Sequence, residues 1–129
     1  MSETEIAKEW LRYANNDLIV AKHCFEDLYP KQTEIASYHC QQCAEKALKA
    51  FLIYKDIEPP KTHDLKLLCK MCIEHDESFS NIAIYCSNLT PYGISVRYPD
   101  ELCPDENMVK IAIHESQKVY DFCIVKIGF

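Results

Sequence analysis

Cys40-Gln-Gln-Cys43 and Cys69-Lys-Met-Cys72 are two Cys-x-x-Cys pairs in one chain, and two thiolate pairs are enough to close a tetrahedral zinc shell. That chemistry needs each pair on a tight turn, usually beside Gly or Pro, so that all four sulfurs converge. Neither pair is so placed. Cys40 and Cys43 continue the apolar spacing of Ala36 and Ala47, and Cys69 and Cys72 continue that of Leu65 and Leu68. Such cysteines pack inside helices as small hydrophobes. A metal reading would draw on His39 and His75, each within a turn of a pair. A redox pair needs a helix N-terminus to lower a thiol pKa, and these cysteines lie within helices. The sequence therefore predicts no metal and no cofactor.

The other residues able to do chemistry are polar groups in a well-patterned chain. Gln42 borders the apolar stripe of the segment around residue 45, and Glu45, Lys46 and Lys49 lie within one or two turns of it. The lysines offer point charges to a phosphate, and Arg97 offers a planar bidentate fork. The alternative for Glu45, Lys46 and Lys49 is a solvated helix face. For Arg97 it is a helix cap or a pair with Asp100. His63 and Asp64 read as a helix start or as a catalytic pair. Asp17 interrupts an apolar run, as a surface residue or as a partner for Arg97.

The elements that position these groups are helical. Two glycines and six prolines in 129 residues leave few turns, which favours long helices over many short strands. From Ser2, with Glu5 completing a capping box, apolar residues recur at Ile6, Trp10, Ala14, Leu18, Ala21, Phe25 and Leu28. Steps of three and four are one face of a helix, which Pro30 ends or interrupts. A second helix runs from Thr33 to about Lys55 on the stripe Ala36, Cys40, Cys43, Ala47, Phe51 and Tyr54, and Pro59-Pro60 closes it off. Thr62 or Asp64 caps a shorter helix with Leu65, Leu68, Cys69 and Cys72. Ser78 caps another with Phe79, Ile82, Ala83 and Cys86. Asp105 caps a last helix reaching Ile127. The predicted fold is all-α, an up-and-down bundle of about five helices forming a single domain over residues 1–129. Residues 90–104 hold three prolines and a glycine and read as a long ordered loop, a kind that often carries function. The loop presents Tyr92, Ile94, Val96 and Tyr98, a patch that a second copy would cover.

The formal charge of −6 argues against a broad nucleic-acid-coating surface, though not against a local basic patch. The charged stretch from Glu3 lacks the apolar run of a signal peptide. Eight cysteines then fit a reducing, cytoplasmic setting. No apolar run approaches the ~20 residues that cross a bilayer, so no membrane association is predicted.

Four segments carry a family resemblance: WLRYANNDLIVAK (10–22), SYHCQQCAEKALKAFL (37–52), THDL (62–65) and RYPD (97–100). In order and spacing the chain resembles the HEPN domain, in particular the branch associated with minimal nucleotidyltransferases. The resemblance implies a helical bundle, commonly a homodimer, that partners such a nucleotidyltransferase in toxin–antitoxin-like pairs and binds nucleotide or RNA. A large branch of that family are metal-independent ribonucleases marked by an arginine, four to six further residues and a histidine. Here the permitted positions after Arg97 hold Leu102, Cys103 and Pro104, and those after Arg12 hold Asp17, Leu18 and Ile19. Without that imidazole the cleavage chemistry lacks its usual proton carrier. The expectation is thus a binding module rather than an enzyme, with Arg97, Lys46, Lys49, Glu45, Gln42, Asp17, His63 and Asp64 as candidate phosphate-binding residues. The alternative is a ribonuclease using Arg97 with His63 or His114.

Overall fold

The computed structural model describes residues 1–93 and 103–128. Among the described residues five α-helices follow one another: α1 (Glu3–Glu26), α2 (Thr33–Tyr54), α3 (Leu65–His75), α4 (Ala83–Leu89) and α5 (Glu106–Ile127). Single 3₁₀ segments, Glu77–Ile82 and Thr90–Gly93, lead into and out of α4. No strand occurs among the described residues. The fold is the predicted all-α bundle, and no described helix is long and apolar enough to cross a membrane.

The helix starts follow local chemistry. Ser2 Oγ accepts the Glu5 amide at 3.2 Å and the Glu5 carboxylate accepts the Ser2 amide at 3.1 Å, the reciprocal capping box. Of the two cap candidates before α3, Asp64 is the cap, accepting the amides of Lys66 and Leu67. Thr62 Oγ1 in turn accepts the Asp64 amide at 3.1 Å. Asp105 caps α5 through the Met108 amide at 2.8 Å, and Gly128, at φ 89°, ends it in the left-handed conformation that glycine adopts without strain. Two boundaries differ from expectation. Ser78 is not a cap: Asp76 accepts both its amide and its hydroxyl, and the chain makes a 3₁₀ segment before α4 begins at Ala83. The hydrogen bonds from Ser78 and Lys126 hold the Asp76 carboxyl down at about 2. The first helix stops at Glu26, leaving Leu28 outside it and exposed.

Helix α2 is the axis of the bundle. It touches α1, α3, α4 and α5, so its flanks are buried almost all round. On α1 the fully covered stripe is Ala7, Leu11, Ala14, Leu18 and Ala21, while Ile6 and Trp10, placed on the apolar stripe from sequence, are only half-buried. Phe79 packs on Phe51 at 4.3 Å and edge-on to Phe122 at 4.9 Å between ring centroids. Phe79 thereby joins the 3₁₀ segment, α2 and α5 in one aromatic contact, each ring pair contributing about 0.5–1.5 kcal/mol beyond burial. Cys40, Cys43, Cys69 and Cys72 all lie in this core, with the Cys72 thiol turned to the Leu48 carbonyl at 3.8 Å. Burial pushes the Cys40 and Cys72 thiols up and takes Cys43 to about 12, which makes them poor thiolates. No group of three or more His, Cys, Asp or Glu among the described residues is arranged to hold a metal ion.

Candidate functional site

Polar side chains gather along the seam between α1 and α2 and at the turn before α3, and they fall into two sets of the same design. In the first, Asp17 of α1 is buried. Its Oδ1 meets His39 Nδ1 at 2.7 Å and its Oδ2 accepts Lys46 Nζ at 2.6 Å. His39 and Lys46 are two turns apart on α2, so both reach the same carboxylate. Burial pushes the Asp17 carboxyl up, but the hydrogen bonds from His39 and Lys46 outweigh it and leave it below the ordinary aspartate value.

In the second set Glu45 takes the central place. Its Oε2 accepts Lys49 Nζ at 3.0 Å, and its Oε1 faces His63 Nδ1 at 2.8 Å and accepts Gln41 Nε2 at 3.2 Å. Gln41 Nε2 also donates to the His63 carbonyl at 2.9 Å, and Gln42 Nε2 donates to Gln41 Oε1 at 2.8 Å. Against a carboxylate, His63 Nδ1 must carry the proton, so Nε2 is left to whatever approaches from outside. The exposures are unequal: the Glu45 side chain is 6 % exposed and the His63 side chain 72 %. Lys49 lies between them and Trp10, with Nζ 6.0 Å from the ring centroid. Gly93 closes over this set. A Cβ there would come within 3.0 Å of Gln41 Cδ.

Six of the candidate residues are therefore brought together: Asp17 with Lys46, and Glu45 with Lys49, His63 and, through Gln41, Gln42. Asp64 is not among them, because its carboxylate is spent on capping α3. Arg97 and its possible mate Asp100 lie outside the described residues, as do Ile94, Val96 and Tyr98. Asp17 is neither a surface residue nor unpartnered. A solvated face does not describe Glu45 and Lys49, which are 5 % and 9 % exposed, because α2 is covered on several sides at once. Nor are the two lysines spare charges, since each is bonded to a carboxylate. Sequence reasoning missed His39 and Gln41 as members of the site. His39 stands seven residues before Lys46, a helical spacing that is a usable signal, but its place beside the cysteines points to metal chemistry instead. His114, the other histidine of the ribonuclease alternative, lies away from both sets, in a groove between α1 and α5.

Solved structures share this fold. TT1696 from Thermus thermophilus superposes with a TM-score of 0.79 at 24 % identity, over 93 % of this chain and 97 % of that one. ST0689, an archaeal HEPN homologue, superposes with a TM-score of 0.74 at 23 % identity, over 95 % and 98 %. None of the curated proteins matches the chain significantly. The model of the HEPN domain matches residues 7–127, a span that includes both polar sets, and the chain belongs to the HEPN family.

Proposed function

We propose that this chain is a nucleotide- or RNA-binding HEPN module that acts in the cytoplasm as a homodimer beside a minimal nucleotidyltransferase, in a toxin–antitoxin-like pair. The seam between α1 and α2 is its ligand-facing surface. The observation that carries this reading is the unequal exposure of Glu45 and His63. A buried carboxylate that orients an exposed imidazole contributes little to packing and much to presenting a ring nitrogen in one direction. Lys46 is bonded to Asp17, but its side chain is 28 % exposed and lies one turn from Gln42, and it is the proposed cation at the rim. Arg97 is the proposed bidentate partner for a phosphate.

Calorimetric titration of ATP and of short single-stranded RNA tests the reading in wild type and in His63→Ala, Lys46→Ala, Arg97→Lys and Arg97→Ala. A direct charge-assisted contact is worth about 1.5–3 kcal/mol, so its loss weakens binding ~10-fold or more. Arg97→Lys separates a fork from a point charge. Unchanged affinity in every variant refutes the seam as the ligand site. Absence of binding, both alone and with the nucleotidyltransferase co-expressed, refutes the module reading altogether. Light scattering that returns a monomer-sized particle removes the homodimer.

A metal-independent ribonuclease is the second reading, and the same pair favours it. An imidazole held at Nδ1 by a carboxylate, with Nε2 presented outward, is arranged to take a proton from an attacking hydroxyl. Cleavage of single-stranded RNA in the presence of chelator, abolished by His63→Ala, would establish it. Uncleaved RNA would dismiss it.

A further inference from the structure

We infer that the groove between α1 and α5 is a second binding site, independent of the seam, for a small organic anion that carries an apolar body. The groove has a volume of about 510 Å³, within the range typical of small-molecule pockets. Helix α1 lends it Lys22, Phe25 and Glu26, and α5 lends it Lys110, Ile113 and His114. Spacings of three and four place each trio on one helix face. Phe25, buried, and Ile113, half-buried, form the apolar wall.

The charges around that wall are unspent. Lys22 Nζ donates to Gln117 Oε1 at 2.9 Å, so a neutral amide fixes its position across the groove without cancelling its charge. Lys110 and His114 are exposed, and neither is bonded to another side chain among the described residues. The lining holds one carboxylate, Glu26, against two ammonium groups and an imidazole. In a chain of net charge −6 this is a local reversal of sign. The seam differs, because Lys46 and Lys49 there are each bonded to a carboxylate. Ammonium groups act as compact point charges and impose no planar geometry. The head they select is therefore a carboxylate, sulfate or phosphate, held between Lys22 and Lys110 with its body against Phe25 and Ile113.

Backbone-amide NMR titration tests this with three probes: decanoate, adenosine 5′-monophosphate and inorganic phosphate. The proteins are wild type, Lys22→Ala, Lys110→Ala and Lys70→Ala. The expected result is saturable shifts on the facing turns of α1 and α5 with at least one organic anion, weakened ~10-fold or more in Lys22→Ala and Lys110→Ala and unchanged in Lys70→Ala, an exposed lysine of α3 outside both sites. Tighter binding of decanoate points to a lipid-like source, and tighter binding of the monophosphate to a nucleotide-like one. Lys110 is exposed and bonded to no other side chain among the described residues, so its variant keeps the test valid if Lys22→Ala disturbs the Gln117 contact. The proposal is overturned if neither organic anion saturates at millimolar concentration, if Lys110→Ala binds as wild type does, if Lys70→Ala weakens binding equally, or if inorganic phosphate binds as tightly as both organic anions. The seam is judged separately by its own variants.

Discussion

Replacing Asp17 by Asn keeps the shape of the side chain and an acceptor for His39 Nδ1, but removes the charge that holds Lys46. The distances of 2.7 and 2.6 Å to these partners mark strong hydrogen bonds. One to a charged group is worth about 1.5–3 kcal/mol. Stranding one partner of a fully buried pair costs about 3–5 kcal/mol, but the Lys46 and His39 side chains are 28 % and 27 % exposed and recover part of their hydration. The expected loss is thus about 2 kcal/mol, or roughly 6–10 °C in Tm for a domain of this size. Asp17→Ala, which surrenders both acceptors, should cost about 3 kcal/mol.

The pH dependence has a definite sign. The folded carboxyl lies below its ordinary value, so it binds fewer protons than the unfolded one. Its stabilisation is therefore fully present above the unfolded pKa of about 3.9 and disappears as pH falls through the lower folded value. Urea unfolding of wild type and Asp17→Asn at pH 7, 5 and about 3 should show a clear gap at pH 7 and 5 that narrows at about 3. A gap below about 0.5 kcal/mol at pH 7, or one that fails to narrow in acid, would refute the argument.

Gly93→Ala should destabilise by about 1–3 kcal/mol, because the new Cβ lands 3.0 Å from Gln41 Cδ, and in urea melts Gln41→Ala should relieve part of that loss when combined with it. Asn88→Ala withdraws the 2.8 Å hydrogen bond to Glu115, whose side chain is buried, and should lower the unfolding free energy by about 1.5–3 kcal/mol. Under native conditions a thiol reagent should label Cys103 rapidly and the seven buried cysteines only on unfolding. Elemental analysis should then find far less than one zinc per chain, since a stoichiometric value would mean that the core cysteines are ligands.

The helices were legible because their signals are local. The Ser2–Glu5 box, the Asp64 and Asp105 caps and the three-and-four spacing of apolar residues all act within a turn or two, and the cysteines fell into the core on the same spacing. The polar sets were less legible because they are built from distant residues. Asp17 and His39 are 22 residues apart, Asp17 and Lys46 are 29 apart, and Glu45 and His63 are 18 apart. Periodicity could identify the most apolar face of α2, but not that its other faces are covered too, so Glu45 and Lys49 read as solvated. Ser78 misled for a different reason: its hydroxyl answers Asp76, two residues earlier, in competition with the cap it was expected to make.

The two carboxylate-centred sets have the same parts and divide along exposure. In the Asp17 set both partners are largely covered, with side chains 27 % and 28 % exposed, so Asp17 and His39 tie α1 to α2 and their loss is felt mainly as stability, while Lys46 keeps the part of its charge that faces the rim. In the Glu45 set the carboxylate and lysine are covered, but the imidazole extends outward. His63→Ala removes a mostly hydrated ring and should change stability far less than Glu45→Ala, which leaves Lys49 without its counter-charge. The proposed function requires that the exposed ring meet a ligand. Loss of ligand binding in His63→Ala at unchanged unfolding free energy would therefore separate presentation from support. Equal losses of stability in His63→Ala and Glu45→Ala would reduce the second set to another strut like the first.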